Sequence, residues 1–401
     1  MKKNDLRLFL VCVLMTGWIA QHSLGWAAPV DAKEVDEAAA EHAVLQDSNT
    51  LYMLVGGYTS ATVTTGVYVY KFNQETGAIE FVSNAEAQNA SYLAISADER
   101  FVYVAGENSR EPSVVYAFAF DKAAGKLNLM NVEETNGASP CYITLDMDGR
   151  FVLTANYTGG NISVFPLQSN GSLQPVTKVF DFEFEGSGPV ANRQNKPYLH
   201  CAVFSPDRRY LFATDLGSDK IYKFETSGSA PFLTAGAPQS FKVEPGSGPR
   251  HLTFHQNGKN AYLINELSGI VTVFNYVNGN LEPVQTIAAD PGDGNKASAD
   301  IHVSPDGKFL YASNRANTNS IAIFRINEAD GKLTEVGFQA TERAPRNFNI
   351  SPNGKFLLVA NQNSNSIQVF ERDVNTGLLK EIESQKISDI NRPVCIKWVG
   401  I

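Results

Sequence analysis

A histidine, a glutamate and three arginines carry the chemistry this sequence could do: His200, Glu266, Arg250, Arg315 and Arg346. An imidazole or a carboxylate can take a proton from water and return it to a leaving oxygen. A guanidinium can stabilise a developing oxyanion, and its planar fork suits a phosphate or a carboxylate. These five stand out because the chain repeats itself around them. Six segments share one phrase, an apolar strand, a tight turn and a second apolar strand, with turns starting at Asp98, Asp148, Asp207, Asn257, Asp306 and Asn353. The turns are spaced by 50, 59, 50, 49 and 47 residues.

The copies serve as controls for one another. A residue type common to all is structural, whereas a polar residue unique to one copy needs another reason. Eight residues after each turn come Gly106, Asn156, Asp215, Asn265, Asn314 and Asn361, mostly the Asn or Asp of a strand-end turn. The next position varies among the copies, with glutamate in two of the six: Glu107, Tyr157, Leu216, Glu266, Arg315 and Gln362. Seven residues before the turns stand Ser91, Cys141, His200, Arg250, Ala299 and Arg346, each followed by Tyr92, Tyr142, Cys201, His251, Asp300 and Asn347.

The elements that must position these residues follow from the period. After the paired strands, most copies give a V/I-x-V/I-F strand such as ISVF (162–165) or IQVF (367–370), then a last strand behind a Gly-containing turn. Four short strands in about 50 residues make one blade of a β-propeller. The chain opens on LYMLVGGYTS without an innermost strand and closes on Arg392-Pro-Val-Cys-Ile-Lys397, which resembles one. The expected fold is therefore all-β: a seven-bladed propeller of four-stranded antiparallel blades, with the C-terminal strand completing the first blade. Closure removes the open edge of a linear array. Innermost strands converge on a central channel, so one mouth of the ring gathers His200, Arg250, Glu266, Arg315 and Arg346 where close charges shift pKa values.

Plainer roles exist for the same residues. The arginines could stitch adjacent blades to Glu107 and Glu266, and His200 could be a satisfied strand histidine. His251, one step out of phase, is expected at a blade interface, and His255 and His302 at ordinary strand positions. Other motifs fail: there is no G-x-S-x-G elbow and no H-E-x-x-H. Gly246-Ser-Gly-Pro249 lacks the strand-helix setting of a phosphate loop. Asp146-Met-Asp148-Gly149 is the repeat's own turn, and the loop Asp290–Asn295 is at most a weak ion site. No metal or cofactor is expected.

Lys2, Lys3 and Arg7 precede the apolar run LFLVCVLMTGWIA and then Gly25-Trp-Ala-Ala28, the layout of a secretory signal. Residues 1–28 are expected as a signal peptide, 29–50 as a linker and 51–401 as the propeller, exported to the periplasm with no stable membrane insertion after cleavage. Cys141, Cys201 and Cys395 form no CxxC pair and lie in apolar segments, so no disulfide framework is indicated. A formal charge of −9 without a basic block argues against nucleic acid as a partner.

Several phrases together, SPCYITLDMDGRFVLTANY (139–157), RQNKPYLHCAVFSPD (193–207), ATDLGSDKI (213–221), GPRHLTFHQNGKNAYLINEL (248–267), IHVSPDGKFLYASNR (301–315) and APRNFNISPNGKFLLVANQ (344–362), resemble the seven-bladed propeller lactonases. The best-known members of that family are 6-phosphogluconolactonases, and carboxymuconate-lactonising enzymes share the fold. The resemblance implies that His200, Arg250, Glu266 and Arg315 are catalytic. Arg346, Glu107, Asp300 and His251 are expected to bind substrate. Tyr142 and Tyr198 stand where the family commonly has His, and Asp300 where Glu is usual. The reading that results is metal-independent hydrolysis of an anionic sugar lactone to the aldonic acid. Glu266 or His200 takes the water's proton, Arg250 faces the oxyanion, and Arg315 and Arg346 hold a phosphate or carboxylate. A muconate-type lactonising or lyase reaction on a carboxylate-rich molecule, and a non-enzymatic exported ligand-binding propeller, are the alternatives.

Overall fold

Strands such as YLFATD, NAYLIN, FLYASN and FLLVAN carry no alternation of apolar and polar residues, which requires burial on both faces. The computed structural model of the chain, which describes residues 49–109, 112–146, 148–184, 188–228 and 232–401, provides it. These four strands, β13 (Tyr210–Asp215), β17 (Asn260–Asn265), β21 (Phe309–Asn314) and β25 (Phe356–Asn361), are buried at every position. They are the second strands of blades whose faces pack on their neighbours. Outer strands such as β19 (Asn280–Ala288) are largely exposed instead.

The strands, numbered β1 to β29 along the chain, form seven antiparallel sheets. The innermost strands are β29 (Pro393–Gly400), β4 (Ala90–Ile95), β8 (Pro140–Leu145), β12 (Leu199–Phe204), β16 (Pro249–Phe254), β20 (Ser298–Val303) and β24 (Pro345–Ile350). Each touches the next in that order, and β24 touches β29, so the ring is closed. β29 pairs with β1 (Thr50–Gly57), Leu54 opposite Lys397 and Val55 opposite Ile396, and so completes the first blade as expected. One departure from regularity lies in the last blade. There the outer strand is split into β27 (Leu379–Glu381) and β28 (Ile387–Ser388) around a single 3-10 turn.

The turns of the repeat are built by side chains. Ser205, Ser304 and Ser351 hydroxyls donate to Asp207, Asp306 and Asn353 at 2.5, 2.5 and 2.7 Å. Gly307 follows at φ +71°, a conformation that favours glycine. The buried Asn or Asp eight residues after the turn also serves the fold. Asn265 Nδ2, for example, donates to the Ile270 carbonyl at 2.9 Å and to Thr272 Oγ1 at 3.1 Å.

The expected signal peptide over 1–28 lies outside the described residues, as does the linker expected over 29–50 except for its last two positions; Thr50 already belongs to β1. No helix among the described residues is long and apolar enough to cross a membrane. Cys141, Cys201 and Cys395 are buried free thiols.

Candidate active site

The innermost strand of every blade breaks register at the same place. Leu199 faces Asp215 and Cys201 faces Thr214, leaving His200 as the extra residue of a β-bulge. Arg250 stands likewise between Pro249 and His251, and Arg346 between Pro345 and Asn347. Ser91, Cys141 and Val394 occupy the same break in their blades, and in β20 it spans Ala299 and Asp300. A bulge re-aims side chains and suspends strict alternation. This overturns the expectation that His251 faces a blade interface. Its ring centroid lies 5.2 Å from that of His200, 5.4 Å from Tyr142 and 6.0 Å from Tyr92, residues of three other blades that meet only on the axis.

Glu266, just beyond β17, is the hub of the mouth. Its Oε2 accepts from Arg250 Nε at 2.9 Å and lies 3.1 Å from Arg315 Nη2, while Oε1 accepts from Arg193 Nη2 at 2.6 Å. Burial works against its ionisation, but Arg315, Arg250 and Arg193 outweigh that and pull its pKa to about 2. Such a carboxylate is a fixed anion and a poor proton acceptor at neutral pH. Arg315 is lowered to about 10 by burial and by Arg250 and Arg346, with Glu266 opposing, and is still a cation at neutral pH.

His200 is 5 % exposed, and no group among the described residues bonds its Nδ1. Burial, then the fields of Arg250, His251, Arg346 and Arg315, hold its pKa well below the ordinary 6.5, so the imidazole is neutral at neutral pH and a weaker base than a free imidazole. Tyr157 packs edge-on against it at 5.5 Å and receives a hydrogen bond from Arg193 Nη2 at 3.0 Å.

A second carboxylate faces the ring from blade two. Glu107 Oε2 accepts from Tyr58 Oη at 2.5 Å and from Arg346 Nη2 at 3.3 Å. Arg346 and Arg392 both lie over the Tyr58 ring, at 5.4 and 4.8 Å from its centroid. Arg346 belongs to the seventh blade, so this pair reaches past the first blade rather than stitching adjacent ones.

Asp300 is 1 % exposed, with both oxygens taken by protein donors. Oδ1 accepts from His251 Nδ1 at 2.7 Å; Oδ2 accepts from His302 Nε2 at 2.9 Å and from Asn347 Nδ2. Tyr92 and Tyr142 stack at 4.3 Å, with the Lys397 ammonium 4.4 Å from the Tyr92 centroid. Tyr198 packs on Tyr157 at 4.8 Å. His255 falls just after β16 and bonds the Gly307 carbonyl at 2.9 Å.

The loop expected as a weak ion site holds an ammonium of its own. Lys296 Nζ donates to the Asp290 carbonyl at 3.0 Å and to that of Gly292, so the lysine takes the oxygens a cation would need. The loop ends on Ala297, whose carbonyl accepts from Arg315 Nε at 3.1 Å. Among the described residues no group of three or more His, Cys, Asp or Glu side chains is placed to hold a metal ion.

The structure thus brings His200, Arg250, Glu266 and Arg315 together, with Arg346 near enough for its charge to act on His200 and Arg315 and with Glu107 paired to Arg346 from the second blade. Asp300 lies beyond His251, enclosed by protein donors. Arg193 was missed. It sits in the segment that lengthens one repeat spacing to 59 residues, and that excess length was its signal. Tyr58 was missed too, because the first blade has no complete repeat to compare.

Comparison with known proteins agrees with this architecture. A curated 6-phosphogluconolactonase of Formosa agariphila is 41% identical over 341 residues, covering 84% of this chain and 96% of that one. A solved Bacteroides fragilis protein described as a candidate 6-phosphogluconolactonase is 50% identical, with a TM-score of 0.84 over 88% of this chain and 99% of that one. The periplasmic gluconolactonase of Pseudomonas aeruginosa is 35% identical, with a TM-score of 0.82 over 88% and 99%. The family described as "Lactonase, 7-bladed beta-propeller" matches residues 52–398, and the chain belongs to that family.

Proposed function

We propose that the protein hydrolyses a sugar lactone to its aldonic acid at the mouth ringed by His200, Arg250, Glu266 and Arg315. The observation that carries the reading is His200, a neutral buried imidazole with an unpartnered Nδ1 amid guanidinium groups. Its relatives named 6-phosphogluconolactonase and gluconolactonase support the reaction class.

In the proposed sequence, His200 takes a proton from a water as that water's oxygen bonds to the lactone carbonyl carbon. Negative charge develops on the carbonyl oxygen, which Arg250 and Arg315 stabilise. When the tetrahedral intermediate collapses, the bond from carbon to ring oxygen breaks. The His200 imidazolium returns its proton to that oxygen, and the new carboxylic acid ionises. Glu266 is the anchor that holds the guanidiniums in place; both its oxygens are committed to them, whereas His200 Nδ1 has no partner among the described residues, which favours His200 as the base. Arg346 meets an anionic substituent where the substrate carries one, as 6-phosphogluconolactone does, and the proton of the product acid passes to solvent.

Export to the periplasm is part of the proposal, resting on the N-terminal segment and on the periplasmic relative from Pseudomonas aeruginosa. An exported enzyme meets unphosphorylated sugar lactones more readily than a cytosolic phosphate ester. The test is acid release from 6-phosphogluconolactone and gluconolactone, with spontaneous hydrolysis subtracted, alongside His200→Ala and Glu266→Gln. Turnover by the intact chain that both variants lose supports the scheme. Absence of turnover from folded protein on either lactone overturns it.

A further inference from the structure

The hydrogen-bonding rules of Asp300, His251 and Arg250 leave one arrangement. Burial resists ionisation of Asp300, but His302 and His251 hold its pKa well below the usual carboxylate value, so it only accepts. A guanidinium only donates. His251 lies between them, with Nδ1 2.7 Å from Asp300 Oδ1 and Nε2 3.3 Å from Arg250 Nη1. It must therefore carry its proton on Nδ1 and present a lone pair on Nε2, which is the neutral ring. Burial and Arg250, with Asp300 opposing, set its pKa near 4, in agreement with that form.

Arg250 is consequently gripped on three sides. Nη1 donates to the Ala299 carbonyl at 2.6 Å as well as toward His251, and Nε donates to Glu266 at 2.9 Å. Asp300 is itself immobilised from three blades, by His251, His302 and Asn347, and by the backbone N–H of Ile301 at 3.0 Å. The side chains are 1 to 6 % exposed apart from the partly buried His302, so little solvent competes. A group that must meet a developing oxyanion gains from being held in advance.

We infer that Asp300 and His251 are positioning residues, a buried carboxylate–imidazole relay that fixes the Arg250 guanidinium for the transition state rather than binding the lactone. The inference rests on the lactonase reading only through the role of Arg250. It replaces the substrate-binding role expected for Asp300 and His251 from the sequence.

A double-mutant cycle on the full chain tests it, with gluconolactone as probe. His251→Phe removes the Nε2 acceptor and is expected to lower kcat about 30-fold with KM within about threefold. In an Arg250→Lys background the same change is expected to cost less than about twofold, because the relay has nothing left to position. Equal losses in both backgrounds overturn the relay. If His251→Phe does not fold, His251→Gln and His251→Asn take its place. The glutamine oxygen reaches the Nε2 position and restores kcat, whereas the asparagine reaches only Asp300 and does not. The reverse order overturns the relay.

A readout independent of turnover separates the two readings. The Arg250 Nε–H resonance, identified by its loss in Arg250→Lys, should exchange faster with water in His251→Phe. An unchanged exchange rate overturns the relay. If Arg250→Lys leaves lactone turnover intact, the catalytic role of Arg250 fails, while the exchange measurement still decides whether His251 holds it.

Discussion

Glu266 and Arg250 meet through Oε2 and Nε at 2.9 Å, and the same carboxylate is also held by Arg315 and Arg193. One anion thus gathers cations from the fifth and sixth blades and from the loop leading into the fourth. Removing a buried partner from such a cluster leaves uncompensated charge, at a cost of roughly 3–5 kcal/mol. Glu266→Gln is expected to lower both the melting temperature and kcat/KM, the latter by about 100-fold. Glu266→Asp should recover part of each. Stability and turnover both unchanged in the glutamine variant would remove Glu266 from the site.

The identity of the base is read from the acid limb of the pH–rate profile. His200 is held well below 6.5 by burial and neighbouring cations, so kcat/KM should stay flat through neutral pH and fall only at lower pH as the imidazole protonates. His200→Gln is expected to lose about 100-fold or more and to flatten that limb. Glu266→Gln should keep it. A limb that survives in His200→Gln would transfer the base to another group.

Arg193 joins Glu266 at 2.6 Å and Tyr157 at 3.0 Å from one nitrogen, tying the long loop before β12 to the fifth blade and to the loop after β9 (Phe151–Asn156). Arg193→Ala removes one of the three cations that keep Glu266 ionised. The expected result is a loss of about tenfold in kcat/KM with a modest loss of stability, since Arg193 is partly exposed and its pair is screened. Steady-state kinetics beside thermal unfolding checks this, and an unchanged kcat/KM would make the loop a bystander.

The sequence made some of this legible and hid the rest for physical reasons. Repetition exposes blades, because each copy of the strand–turn–strand phrase must bury the same faces, so the ring and its closing strand could be read directly. Comparing copies also isolates His200, Arg250, Glu266 and Arg315, ionisable residues at positions where most copies carry something else. Strict strand alternation misplaced His251, because a bulge at Arg250 leaves no mark in composition. Arg193 and Tyr58 lie outside the repeat, so no internal copy could single them out. Asp300 stands out in the comparison of copies, but only its side-chain donors His251, His302 and Asn347 show how the protein encloses the anion.

Acid should destabilise the fold in two stages. Glu266 has a folded pKa near 2 against 4.5 unfolded, so its contribution is complete above about pH 4.5 and lost as pH falls toward 2. His251 is depressed from 6.5 to about 4, so the neutral ring's contribution is complete above pH 6.5 and lost on falling through 4. Each shift corresponds to stability on the order of 3 kcal/mol. Chemical denaturation from pH 7 to pH 3 should show a continuous decline, whose upper part His200, also held well below 6.5, shares with His251, so His251→Gln should flatten that part without abolishing it. Stability independent of pH between 6.5 and 4 would contradict the neutral His251.

The closing strand links the ring to the Asp300 cluster. Asn347 donates to Asp300 through Nδ2 and accepts from the Ile396 N–H through Oδ1 at 2.8 Å, while Asn349 Nδ2 donates to the Ile396 carbonyl at 2.9 Å. Val394, Cys395, Ile396 and Val399 are buried, and their burial contributes on the order of 6–8 kcal/mol, comparable with the whole stability of an ordinary domain. Ending the chain at Asn391 removes β29 and exposes the edges of β1 and the neighbouring blade faces. The truncated chain should lose cooperative unfolding and aggregate. Ile396→Ala keeps the strand's backbone bonds while opening a cavity, at an expected cost of about 2–5 kcal/mol. If lactone turnover depends on the Asp300 cluster, this variant should also lose kcat well below its melting temperature. A truncated chain with a sharp thermal transition and full turnover would show that the other six blades and an incomplete first blade suffice.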